Sequence, residues 1–177
     1  MCEDPTATVR GYNVQGTIEA FQFLPQRVSE MLARHRIRQD DLTAGRQVLV
    51  QRWLDVLQEI SRTIGMAKLR EVGTRIATAA AIPSSITSVE AVLLGLDDVY
   101  HFNHRGRVGS YRCSPRDRNV VRVECHTPYP RAFERGIIEG FTRHPGLSRG
   151  KRFEVAYEDG PPGTDHTCTL TVTSQSG

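Results

Sequence analysis

The feature that most constrains the fold of this chain is a change of hydrophobic period near Gly106. Before this glycine, apolar residues recur every three or four positions, as Val50, Trp53 and Leu57 do, and this spacing is typical of amphipathic helices. After it, apolar and polar residues alternate, most clearly over residues 120–126. A period of two is that of a strand with one buried face. The sequence therefore predicts helices in the first half of the chain and a sheet in the second.

Breaks in the helical half divide it into separate helices. Pro25 interrupts the first apolar stripe, which predicts two helical pieces or a kink there. The spacing then predicts a long helix over Val48–Ile64 and another from Met66 to about Ala80. Thr87 and Glu90 have the spacing of a capping box, which predicts that a further helix begins there. The first half is thus expected to form a helical layer.

The alternating half predicts two strand pairs with one helix between them. The first pair covers Val108–Cys113 and Asn119–His126, and the second pair covers residues 153–158 and 167–173. Between the pairs, apolar residues at helical spacing predict a helix from about Arg131 to Arg143. This order predicts an α+β domain, with the helical layer packed on a twisted four-stranded antiparallel sheet.

Length, charge and cysteine usage narrow the class of protein. A chain of 177 residues is expected to form one domain over residues 12–173, with a flexible lead-in over 1–11 and a disordered tail over 174–177. The net charge of +3 gives no strong field, which argues against specific nucleic-acid binding. No apolar run is long enough to span a bilayer, and no secretory signal is seen. With four cysteines and no CxxC motif, we expect a cytoplasmic protein with free thiols.

Two motifs give this layout a resemblance to a known superfamily. The segment CHTPYPRAFERGIIEGF at Cys125–Phe141 and the turn GTDHTC at Gly163–Cys168 resemble motifs of the haem NO-binding-like fold. That fold is shared with 4-vinyl-reductase-like domains and with the small subunits of the TRAPP vesicle-tethering complex. The resemblance covers roughly Gly11 to Thr173 in element order. It implies the α+β layout described above and a homodimer.

The superfamily also implies several kinds of ligand. Some members bind haem, some bind small hydrophobic effectors, some hold a structural zinc, and some only tether partner proteins. Cys125 and Cys168 match the first and last cysteines of the zinc-holding members. Their middle cysteine is absent here, and Glu158 and His166 are the residues that could replace it, since zinc accepts carboxylate and imidazole.

The predicted ligand pocket lies between the helices and the sheet. We expect its boundary to be formed by Trp53, Tyr100, His101, His104, Cys125, Tyr129 and Arg131. Each has a structural alternative: histidines at a helix C-terminus complement the helix dipole, and free cysteines are commonly small buried hydrophobes. The Trp53 stripe is equally typical of an ordinary core, and Arg135 with Glu139 has the spacing of an ion pair on a solvated helix face.

Three functions stay open at this point. The first is a small-molecule sensory or regulatory module whose ligand is a hydrophobic molecule or haem. The second is a ligand-free scaffold that acts by dimerisation and by binding a partner protein. The third is an enzyme that uses a metal or side chains such as Cys113 and His101, although no spacing indicates a catalytic motif.

Overall fold

The change of period near Gly106 corresponds to a change from helices to a sheet in the folded chain. The computed structural model describes residues 2–21, 25–43, 45–78, 80, 82–158 and 167–175. The helices within these residues are α1 (Gly11–Ala20), α2 (Pro25–Arg34), α3 (Val50–Thr63), α4 (Met66–Thr78), α5 (Val89–Leu94), α6 (Leu96–Asn103), α7 (Arg131–Arg143) and α8 (Pro145–Ser148). Pro25 begins α2, so the prediction of two helical pieces is confirmed.

The strands form two antiparallel sheets. The small sheet contains β1 (Thr8–Arg10), β2 (Gln47–Leu49) and β3 (His104–Arg105) in the order β2-β1-β3. The larger sheet contains β4 (Ser110–Asp117), β5 (Val120–His126), β6 (Arg152–Tyr157) and β7 (Thr167–Gln175) in the order β4-β5-β7-β6. With α7 between the two strand pairs, the predicted α+β fold with a four-stranded antiparallel sheet is confirmed.

Several boundaries differ from those predicted. The lead-in over 1–11 contains β1, which pairs with both β2 and β3 and which its short length hid in the sequence. The tail over 174–177 overlaps β7, which continues to Gln175 because it pairs with β6 there. Helix α5 is capped by Ser88 rather than by Thr87, since the Ser88 hydroxyl accepts the Ala91 N–H.

Helices α4 and α7 pack with their backbones in contact, and glycine allows this approach. A Cβ atom added at Gly136 would lie 2.1 Å from the Arg70 carbonyl oxygen, and one at Gly73 would lie 2.3 Å from that of Phe133. Both distances are far below van der Waals contact, so no larger residue fits. The close packing seats α7 between α4 and the sheet.

The alternation predicted for β5 sets the orientation of its side chains. Val121, Val123 and Cys125 are buried, whereas Arg122 and Glu124 lie on the opposite face and form an ion pair with each other. The predicted ion pair of Arg135 and Glu139 also forms, with 2.8 Å between Nε and Oε1. The prediction that it lies on a solvated helix face was wrong.

Glu139 is buried rather than solvated, and Arg70 of α4 also binds its carboxylate. The close approach of α4 and α7 explains this burial.

Within the part of the chain that the structure describes, no helix is long and apolar enough to cross a membrane.

Candidate functional site

A buried polar cluster lies where α6, β4 and α7 meet. We call it the core cluster, and its members are Tyr100, His104, Tyr111, Thr127, Tyr129 and Glu134. Buried polar groups must find hydrogen-bond partners, because an unpaired one costs free energy of folding.

Glu134 holds a carboxyl group inside the protein. It lies in the first turn of α7 and is 1% exposed. Its oxygens accept the hydroxyl protons of Tyr111 and Thr127. Burial raises the pKa of Glu134 to about 7, although the two donors favour the ionised form and act against this rise. The carboxyl group therefore exchanges its proton near neutral pH.

His104 is held neutral in the same cluster. Its Nδ1 lies 2.8 Å from the Tyr100 carbonyl oxygen, which can only accept, so Nδ1 carries the proton. Its Nε2 therefore accepts the Tyr129 hydroxyl at 2.7 Å. Burial lowers the pKa of His104 to about 4. Both ring nitrogens are thus engaged within the protein.

Tyr129 lies between the glutamate and the histidine. The Thr127 hydroxyl donates to Glu134 and accepts the backbone N–H of Tyr129 at 3.4 Å. The Tyr129 hydroxyl donates to His104, so Tyr129 takes part in one hydrogen bond through its backbone and in another through its side chain.

Aromatic rings fill the space around the core cluster. The Tyr100 and Tyr111 rings meet edge to face at 5.1 Å, and the Phe133 ring lies 5.3 Å from that of Tyr129 and 6.4 Å from that of Trp53. This is where the sequence predicted a pocket, and the side chains there are packed against one another.

The predicted pocket residues separate into two groups. Trp53, Tyr100, His104, Cys125 and Tyr129 all lie in or beside the packed core. His101 instead is half-exposed, and its Nε2 lies 3.5 Å from Asp97. The Arg131 guanidinium lies over the Tyr157 ring, 5.1 Å from its centre.

Three members of the core cluster were absent from the prediction: Tyr111, Thr127 and Glu134. One sequence signal marks Glu134, because it precedes Ile138 by four residues and Phe141 by seven, and both are buried. An acidic residue on the apolar stripe of a helix indicates a buried carboxyl group.

The four predicted zinc ligands are only partly brought together. Cys125 and Cys168 are buried and directly opposed on β5 and β7. The hydrogen bond to Cys168, together with burial, raises the pKa of the Cys125 thiol far above its usual value. Glu158 binds Arg116 at 2.5 Å and Arg122 at 3.0 Å, on the face of β5 opposite to Cys125.

His166, the remaining predicted ligand, lies outside the described residues. Among the residues that are described, no group of three or more histidine, cysteine, aspartate or glutamate side chains is arranged to hold a metal ion.

A second region, open to solvent, lies at the other end of β5. We call it the rim cleft: a cavity of about 320 Å³ between α5, α8, the β4–β5 turn and strands β5, β6 and β7. Its apolar floor is formed by Val89, Leu93, Val121, Leu147, Phe153 and Val172. Among the described residues, no histidine, cysteine or tyrosine lines it.

Charged side chains surround the floor of the rim cleft. Three exposed cations contribute: Arg118 of the β4–β5 turn, and Arg149 and Lys151, which follow α8. None of them forms an ion pair with a carboxylate in the described ranges. Two exposed carboxylates, Glu90 and Asp117, also line the cleft.

Comparison with known proteins identifies the fold. No protein-family model matches this sequence, and no curated protein sequence matches it. Solved structures do match: an H-NOX protein from S. oneidensis in the Fe(II)NO ligation state has a TM-score of 0.73 at 14% identity, covering 94% of this chain and 99% of that one.

An oxygen-binding H-NOX domain related to soluble guanylate cyclases, solved as its oxygen complex, has a TM-score of 0.66 at 14% identity. That match covers 94% of this chain and 95% of the other. The chain therefore has the H-NOX fold, and the predicted haem NO-binding-like architecture is confirmed.

Proposed function

We propose that this chain is a sensory or regulatory module that binds a small organic molecule in the rim cleft. The observation that carries the proposal is a cavity with a floor of buried apolar side chains beneath a charged rim. A concave site of this kind is typical of ligand binding, and about 320 Å³ lies within the usual range for small ligands. The solved structures support a small-molecule-binding role for the fold by precedent, since one is named as an Fe(II)NO state and another as an oxygen complex; the choice of the cleft rests on its own lining.

Haem is the cofactor that this fold suggests, and the residues predicted to line its pocket do not fit it. Haem iron requires an axial nitrogen, sulfur or oxygen from the protein. Both nitrogens of His104 are engaged, the Cys125 thiol faces Cys168, and His101 turns to Asp97. In the part of the chain that the structure describes, neither histidine nor cysteine lines the rim cleft. We therefore assign the site to an organic molecule.

An absorption spectrum and native mass spectrometry of protein produced with an excess of haem precursor test this assignment. We expect no Soret band and no haem mass. A band at about one haem per chain would contradict the assignment to an organic molecule.

Binding to the rim cleft is tested by the thermal unfolding midpoint in the presence of small amphiphiles such as octanoate and 1-octanol. A ligand that binds only the folded state raises this midpoint. Ser174→Phe places a ring in the cleft and should abolish the rise, whereas Ser114→Phe on β4, outside the cleft lining, should preserve it. The proposal fails if no probe raises the midpoint, or if both variants respond equally.

The other predicted functions have less support. Burial raises the pKa of Cys113 to about 12, so its thiol is protonated and a poor nucleophile at neutral pH. The homodimer and the partner protein stay predictions, and light scattering coupled to gel filtration measures the first of them directly.

A further inference from the structure

We infer that the ligand of the rim cleft is a small monocarboxylate with a short apolar body. This inference rests on the proposed function and adds the chemical class of the ligand. The charges of the rim favour one part of the ligand, its negative head group, and the apolar floor favours another, its hydrocarbon body.

The rim favours a single negative charge. Arg118, Arg149 and Lys151 approach from two separate segments. The carboxylates that line the cleft within the described ranges are Glu90 and Asp117. One oxygen of Asp117 already accepts the backbone N–H of Arg118 at 2.6 Å. The cations therefore exceed the anions by one across the cleft. A carboxylate ligand balances this excess, whereas a cationic ligand increases it.

The floor favours an apolar body of limited size. Val89, Leu93, Leu147 and Val172 are buried side chains that the rest of the fold holds in place. These four side chains offer no hydrogen-bonding atom, so the part of the ligand that lies against them should be hydrocarbon. Polar side chains such as Ser88, Asn119 and Ser174 also line the cleft. A volume of about 320 Å³ is at the small end of ligand sites, which suits a short acyl chain or one aromatic ring.

Position also distinguishes this cleft from the core cluster. The cleft lies beside the β4–β5 turn, where β5 begins at Val120, whereas Thr127 and Tyr129 of the core cluster follow its other end. A ligand in the cleft therefore does not need to displace any residue of the core cluster.

Three probes that differ only in the head group test the inference: octanoate, 1-octanol and octylamine. Each is titrated into the full chain at low salt, and Kd is measured from backbone amide chemical shifts. We expect octanoate to bind about tenfold or more tightly than 1-octanol, and octylamine to bind most weakly. Added salt should weaken the binding of octanoate and of no other probe, because salt screens the attraction between its carboxylate and the rim cations.

Rim variants localise the effect. Arg118→Gln and Lys151→Gln should each raise the Kd of octanoate about three- to tenfold and leave that of 1-octanol unchanged. The matched control is Arg62→Gln on α3, an exposed arginine that does not line the cleft, which should leave both values unchanged.

The outcomes separate the two proposals. If 1-octanol binds as tightly as octanoate, or octylamine binds more tightly, the inference of a carboxylate is overturned and the small-molecule site stands. If none of the probes shifts the amides of the cleft, both proposals are overturned. All three variants change exposed side chains, so folding is not at risk.

Discussion

The core cluster and the rim cleft lie at opposite ends of β5 and differ in how their polar groups are paired and in whether the space between side chains is closed. In the core cluster, every polar group is paired and aromatic rings close the space around it. In the rim cleft, three cations lack ionic partners in the described chain, and the cavity above the buried apolar floor is open to solvent. A closed cluster in which every polar group has a hydrogen-bond partner stabilises the fold. Charged groups without ionic partners around an open cavity can instead bind a ligand.

Reactive residue types therefore do not by themselves mark a site. The sequence indicated histidines and cysteines as candidate ligands, yet His104 is enclosed as a neutral imidazole and Cys125 as a protonated thiol. The open cleft is lined instead by valine, leucine and cationic residues that were not among the predicted pocket residues. The comparison can be tested by matched substitutions in the two regions.

The largest contrast is expected between Phe133→Ala and Phe153→Ala. Phe133 is buried between Trp53 and Tyr129, so its loss leaves a cavity and should lower the free energy of unfolding by about 3–5 kcal/mol. Phe153 is partly buried in the cleft wall, and its loss should cost about 1 kcal/mol. Urea unfolding measures both. Equal losses would show that the cleft is as tightly packed as the core cluster.

An intermediate effect is expected from pH, because Glu134 and His104 titrate in opposite senses. Folding raises the pKa of Glu134 from 4.5 to about 7, so the unfolded state binds fewer protons between these values and its contribution to stability is lost as pH rises. Folding lowers the pKa of His104 from 6.5 to about 4, so its contribution is lost as pH falls. Each is worth about 3 kcal/mol over its full range, and the two oppose each other between about pH 4.5 and 6.5.

Single substitutions separate these two contributions. Relative to the unsubstituted chain, Glu134→Gln should make stability rise more steeply with pH, and His104→Gln should make it fall. Urea unfolding across pH 4.5–7 measures both slopes. Unchanged slopes in both variants would mean that neither group is held neutral by burial. Rim variants such as Lys151→Gln should leave the profile unchanged.

The smallest effect on stability is expected from Arg149→Gly. Arg149 has a φ of 47°, in the left-handed region that favours glycine, so the substitution should stabilise the fold by about 0.5–1 kcal/mol. The same change removes a rim cation and should therefore weaken the binding of octanoate. A gain in stability with a loss of binding would mark a residue kept for its ligand. A loss of both would place Arg149 among the structural residues.

Much of the fold was predictable because local patterns reflect it. The alternation of Val121, Val123 and Cys125 indicated the buried face of β5, and Pro25 correctly divided the first helices. The three-residue strand β1 was missed because its pairing with β2 and β3 joins residues far apart in sequence. The candidate site was less predictable, and the seven expected pocket residues did not form one open pocket.

Sequence alone determined the α+β order, the inward and outward faces of the strands, and the absence of a strong net charge. These properties follow from hydrophobic period and composition, which act locally along the chain. The folded arrangement alone brings Glu134 to Tyr111 and Thr127 in the core, and brings Arg118 and Lys151 to one cleft. Burial and charge balance depend on which distant segments pack together, and no local pattern records that.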